Sequence, residues 1–176
     1  MRKLVVLKLD GDLNNGVKVS LEIGEENQRP FTEINAYLPL SQNIIAAIEQ
    51  WQETSTAIWK YTRVKAKKIT IDGSISKRQH DCSFAAFILK EQLNNWLCSE
   101  SFRPIREKWL KHLIPSEEIR VMIRTNQIEL RKLPWHLWDL VDKDYPKAEI
   151  TLSLPQLEQT GSTKTFPHRN KLNRVC

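Results

Sequence analysis

The pattern of apolar and polar positions over the first forty residues reads as strands. "KLVVLKL" is rich in β-formers, and "VKVSLEI" sets Val17, Val19, Leu21 and Ile23 on one side against Lys18, Ser20 and Glu22 on the other. Between them "DGDLNNG" contains Asp10-Gly11 and Asn15-Gly16, pairs that supply the positive φ values a chain reversal needs. The pattern predicts a hairpin. "RPFTEINAYLP", Arg29 to Pro39, reads as a third strand closed by proline, so a short antiparallel meander should form. Such a meander needs a helix or a second layer on its apolar face.

The period then changes. Ser41 stands where a helix N-cap belongs, ahead of Ile44, Ile45, Ile48 and Trp51 at helical spacing. This predicts an amphipathic helix of about three turns over "SQNIIAAIEQWQE", followed by a looser stretch. "KKITIDG" then reads as a strand ending at Gly73. The longest helix is expected from Ser74 to about Cys98, with Ile75, Cys82, Ala86, Leu89, Leu93 and Trp96 in one stripe. Phe84, Phe87 and Ile88 widen that apolar surface, which predicts heavy burial. Cys98 falls off the stripe.

"SFRPIREKWLKHL" predicts a further helix with Phe102, Ile105, Trp109 and Leu113 on one side, ending before Pro115. "EIRVMIRT" alternates as a strand. After a turn at "NQ", the segment "PWHLW" begins a short helix with Pro134 in its first turn, where a missing N–H costs nothing. Trp135 and Trp138 should share a face as core anchors, since aromatic rings fill gaps between sheet and helix. "AEITLSL" is a last strand, and from Pro155 the sequence turns polar and patternless, as a linker does.

Composition adds limits. The chain has 176 residues, 40% hydrophobic and 27% charged, enough for one domain with a real core. No apolar run is long enough for a membrane span, and "MRKLVVLKLDGD" lacks a small-residue cleavage site, so a cytoplasmic location is expected. The three cysteines, Cys82, Cys98 and Cys176, are odd in number and irregularly spaced, which is no disulfide framework. On one helix, the first two would stand roughly 24 Å apart, too far for a disulfide or a shared metal.

The net charge of +6 is divided between body and tail. Beyond Pro155 lie Lys164, Arg169, Lys171 and Arg174 against Glu158, leaving 23 basic and 20 acidic residues in the body. The best local basic patch is "KYTRVKAKK", Lys60 to Lys68, where Tyr61, Arg63, Lys65 and Lys67 would share one face of a strand. A solvated strand face is its plainer reading.

Chemistry is sparse. GxxxxGK[ST], GxGxxG, GxSxG and HExxH are all missing, and His80, His112, His136 and His168 fall in separate segments without metal-ligand spacing. In "HDC", His80 and Cys82 lie two apart; on a helix they diverge by roughly 200°, so the imidazole cannot activate that thiol. Cys82 is therefore expected to be structural. In "PWHLWD", His136 and Asp139 are three apart and could hydrogen-bond, but no nucleophile is near them in sequence. A surface polar pair beside buried tryptophans is expected. No catalytic, cofactor-binding or metal-binding residue and no cofactor is assigned.

The segments "LVVLKLDGDL", "VSLEIG", "RPFTEINAYLP", "ITIDGSISKR", "NNWLCSESFRPIREKW" and "LRKLPWHLWDLVDKDYPKAEITLSLP" resemble the N-terminal region of cyanobacterial CHAT-domain proteins, a caspase-like family often coupled to helical repeats. The likeness covers Met1 to about Leu154. It implies an α+β (mixed α/β) fold: an N-terminal antiparallel β-meander packed with helices over 1–115, then the first strand-helix-strand element of a caspase-like domain over 116–154. A linker follows over 155–176. In that family the catalytic His and Cys stand at later strand ends, and "KLNRVC" matches where the next core strand begins. None of the histidines or cysteines named above matches the family's dyad. The resemblance thus implies a chain truncated before the dyad, not an enzyme, serving as an interaction or regulatory region. Its partner would be a protein or a downstream domain, with self-association through an exposed sheet edge and no membrane. The alternative expectation is a small basic module for an acidic or nucleic-acid ligand, whose binding would weaken steeply with salt.

Overall fold

The computed structural model describes residues 2–62 and 74–153. The fold is α+β. Five strands form one mixed sheet in the order β3-β2-β1-β4-β5, from β1 (Lys3–Asp12), β2 (Gly16–Glu25), β3 (Thr32–Leu38), β4 (Ile119–Thr125) and β5 (Ala148–Ser153). The first three strands pair antiparallel, as the meander pattern predicts. β1 then pairs in parallel with β4, and β4 in parallel with β5. One sheet therefore carries strands from both sides of position 115.

The β1–β2 hairpin follows from its turn chemistry. Gly11 and Gly16 adopt φ of 112° and 98°. The carboxylate of Asp12 accepts hydrogen bonds from the backbone N–H groups of Asn14 and Asn15, at 2.8 and 2.9 Å, and from the Asn15 side chain. Those bonds hold Asp12 below the usual carboxylate range, the Asn15 side chain contributing most. Tyr37 of β3 donates its hydroxyl to Asn15 O at 2.6 Å and ties the turn to the next strand.

Alternation along the strands sorts the two faces. Val5, Leu7, Leu9, Val17, Val19, Leu21, Ile23, Ile119, Val121 and Ile123 join one core with the helices. The opposite face carries Lys8, Glu22, Arg120, Met122 and Arg124. There Lys8 pairs with Glu22 and Arg120 with Glu26, while Arg2 meets Glu149 across the strand ends. This face presents paired charge rather than a basic stripe.

Among the described residues five helices accompany the sheet: α1 (Gln42–Thr62), α2 (Ser74–Leu97), α3 (Arg103–His112), α4 (Ile128–Lys132) and α5 (Asp139–Asp144). α1 begins where Ser41 predicts; Ile44 N–H donates to the Ser41 hydroxyl at 3.4 Å, and Ser41 N–H donates to Leu13 O at 2.9 Å. It outruns its expected three turns because it packs along α2. Its Thr54 and Ser55 hydroxyls donate back to Gln50 O and Gln52 O within the helix. Packing overrides the weak helix propensity of "TSTA". Lys60 and Tyr61 consequently belong to α1 and not to a strand; Arg63 to Lys68, and the strand expected at "KKITIDG", lie outside the described residues.

α2 corrects a second expectation. Ala85, Leu89, Leu93, Trp96 and Leu97 are buried, yet Phe84 and Phe87 are 53% and 55% exposed. The helix is apolar on two sides and only one meets the core. Cys98 is exposed, as its place off the stripe predicts, and Cys82 is half-buried. Phe102, Ile105, Trp109 and Leu113 are buried together as expected, although a 3-10 turn at Glu100–Phe102 precedes α3, which opens with Pro104 in its first turn. Among the described residues no helix is long and apolar enough to cross a membrane.

Candidate functional site

The segment 126–147 connects β4 to β5 and shapes the outer edge of the sheet. Its sequence predicts one short helix from PWHLW. Instead Trp135–Leu137 is a 3-10 turn, Trp138 is extended at φ −66° and ψ 112°, and α5 starts afresh at Asp139. The cause lies 45 residues earlier. Asn94 of α2 accepts the Asp139 N–H at 2.7 Å and donates to Leu137 O at 3.0 Å, on either side of the break. Replacing Asn94 by alanine leaves both backbone groups without those partners, and is expected to cost about 1–3 kcal/mol. Urea unfolding of the variant measures it.

That break lets the two tryptophans serve different neighbours. Trp135 donates its indole N–H to Leu130 O at 2.7 Å, which secures α4, a helix that the sequence reading leaves unassigned. Trp138 packs edge-on to Trp109 with centroids 5.2 Å apart, beside Phe102, while Tyr145 closes the cluster against Trp109. Both tryptophans are core anchors, as expected. Burial pushes the Tyr145 phenol up, aided by the charge of Asp144, and its hydroxyl donates to Leu113 O at 3.3 Å.

The pairs weighed for chemistry do not assemble. His136 is exposed, and Asp139 instead binds Lys143 at 2.9 Å with Lys90 3.5 Å away. The hydrogen bond from Lys143 holds Asp139 below the usual carboxylate range, with further help from Lys90. His80 is exposed, with Nδ1 4.0 Å from Asp81 Oδ1 rather than beside Cys82. His112 stacks near Phe31 with centroids 5.8 Å apart. His168 and Cys176 lie outside the described residues. Among those described, no three His, Cys, Asp or Glu side chains gather as a metal centre.

What the segment does build is a cleft of about 160 Å³ beside β5. Val141, Tyr145 and Pro146 line it together with Ala148 and Ile150 of β5, and His136 and Asp142 supply its polar groups. β5 ends the strand order, and among the described residues no strand pairs with its outer side. Its Leu152, on the same face as Ala148 and Ile150, is 48% exposed. The other terminal strand, β3, has α3 packed close by. A strand added to β5 would aim alternate side chains at the face bearing this cleft; main-chain bonds give such docking its affinity and pockets give it selectivity. The cleft's residues come from the loop, α5 and β5 and share no motif by which the sequence could announce them. No protein-family model matches the chain, and no curated protein matches it either.

Proposed function

We propose that this chain is a non-catalytic interaction module of the CHAT-domain, caspase-like type, acting in the cytoplasm and offering β5 as a docking edge for a further strand of a protein partner or downstream domain. The observation that carries the reading is a cleft of mixed polar and apolar lining directly alongside an edge strand with an exposed Leu152. The parallel β4–α5–β5 element supports the caspase-like reading, because a parallel sheet grows by adding strands at such an edge.

An edge that accepts a partner strand also accepts its own copy when none is supplied. Light scattering should show mass rising with protein concentration, and the amides of Ala148–Leu152 should gain exchange protection as it does. Leu152→Lys places a charge on that exposed position and should abolish the added protection while leaving the circular dichroism spectrum unchanged. Mass growth that leaves those amides unprotected sinks the reading, and so does a constant mass throughout.

A further inference from the structure

The outer stripe of α2 carries exposed aromatic side chains on an element separate from β5. Lys77, His80, Phe84, Phe87 and Glu91 are all exposed and recur at intervals of three, four, three and four. That spacing keeps side chains on one helix face and is the repeat by which two helices interlock. Leu89 and Leu93, buried in the core, lie on the opposite side of the same helix. Two large aromatic rings more than half exposed, one turn apart, form an apolar patch that core packing does not use.

The polar groups along the stripe, an imidazole that can donate a hydrogen bond and a carboxylate that can accept one, indicate what covers it. Lys77 and His80 lie N-terminal to the phenylalanines and Glu91 lies C-terminal to them. A second α2 running in the same direction would set like groups together. Running antiparallel, with a two-fold axis midway between Phe84 and Phe87, it places each Phe84 against the other copy's Phe87. The same register places each His80 against the other copy's Glu91. Every contact then occurs twice, as an isologous interface requires. Four aromatic rings meet at the centre, flanked by donor–acceptor pairs.

We propose that α2 is a homodimerisation helix, and that a second copy of this chain packs antiparallel on the Lys77–Glu91 stripe. The patch is small, so the dimer is weak, with a Kd on the order of 0.1 mM. This contact does not depend on the docking role of β5 and adds no exchange protection to the Ala148–Leu152 amides.

Sedimentation equilibrium on the full chain, in the Leu152→Lys background, tests it by charge exchange. His80→Glu sets two glutamates in opposition and should weaken the dimer at least about tenfold. Glu91→Lys, opposing His80 and adding to the basic end, should do the same. The double variant His80→Glu with Glu91→Lys restores opposite charges and should recover most of the lost affinity. Phe84→Lys with Phe87→Lys should be monomeric while keeping the helical circular dichroism signal, since both positions face away from the core. The proposal is overturned if the Leu152→Lys protein is monomeric at millimolar concentration, if the two single charge variants dimerise unchanged, or if the double variant stays as weak as they are. Binding of the stripe to lipid vesicles in place of self-pairing overturns it equally.

Discussion

Replacing Trp138 by alanine is expected to lower the unfolding free energy by about 3–5 kcal/mol, a large share of what a domain of this size possesses. Trp138 is 2% exposed and its ring meets both Trp109 and Phe102. Removing it leaves a hole bounded by rings that α3 and the turn before it hold in place, so collapse can refill little of the volume. The same change frees the extended residue that separates the 3-10 turn from α5. Urea unfolding with an unchanged slope should report the loss, together with a weakened near-ultraviolet circular dichroism signal. A loss under about 1 kcal/mol would mean that these rings are not locked against one another.

Gly11→Ala is expected to cost about 2–3 kcal/mol, more than Gly16→Ala, although both glycines have positive φ. A Cβ on Gly11 would stand 2.4 Å from the carbonyl oxygen of Gly16, which is backbone within the hairpin and cannot swing aside. A Cβ on Gly16 would meet the Tyr37 hydroxyl and the ring carbon that bears it at 1.7 and 2.4 Å, but that exposed ring can swing away at the loss of its bond to Asn15 O, and the backbone Leu38 O, at 3.1 Å, need give by only a few tenths of an ångström. Thermal unfolding of the two variants side by side checks the order. Equal effects would show that φ alone, and not the backbone collision, sets the cost.

The elements that could be read from the sequence are those whose cause is local. The hairpin rests on two Asx-Gly pairs, β2 and β4 on strict alternation, and the start of α1 on Ser41. The features that escaped have causes distant in sequence. Nothing near Trp138 announces the break after it, because Asn94 makes the bonds that hold it open. The length of α1 depends on α2 lying alongside. Phe84 and Phe87 widen the apolar surface of α2 exactly as buried residues would; only the count of available neighbours decides that they stay outside. The cleft beside β5 was invisible for the same reason: Tyr145 and Ile150 carry no motif and acquire a joint meaning only when β5 pairs with β4. His136 and Asp139 were paired in the reading because three residues separate them, but the 3-10 turn ends between them and Lys143 lies within reach of the carboxylate.

The parallel pairing of β1 with β4 has a consequence for biosynthesis. Val5 lies opposite Val121, 116 positions later in the chain. At about 5–20 residues per second, a ribosome needs on the order of ten seconds to deliver that mate. The β1–β2 hairpin can form within microseconds of emerging, and until then one flank of what becomes the middle strand stays bare. The nascent chain is thus most vulnerable to misassembly early in translation, and a holdase that shields Lys3–Leu9 during this interval should raise the yield of native protein.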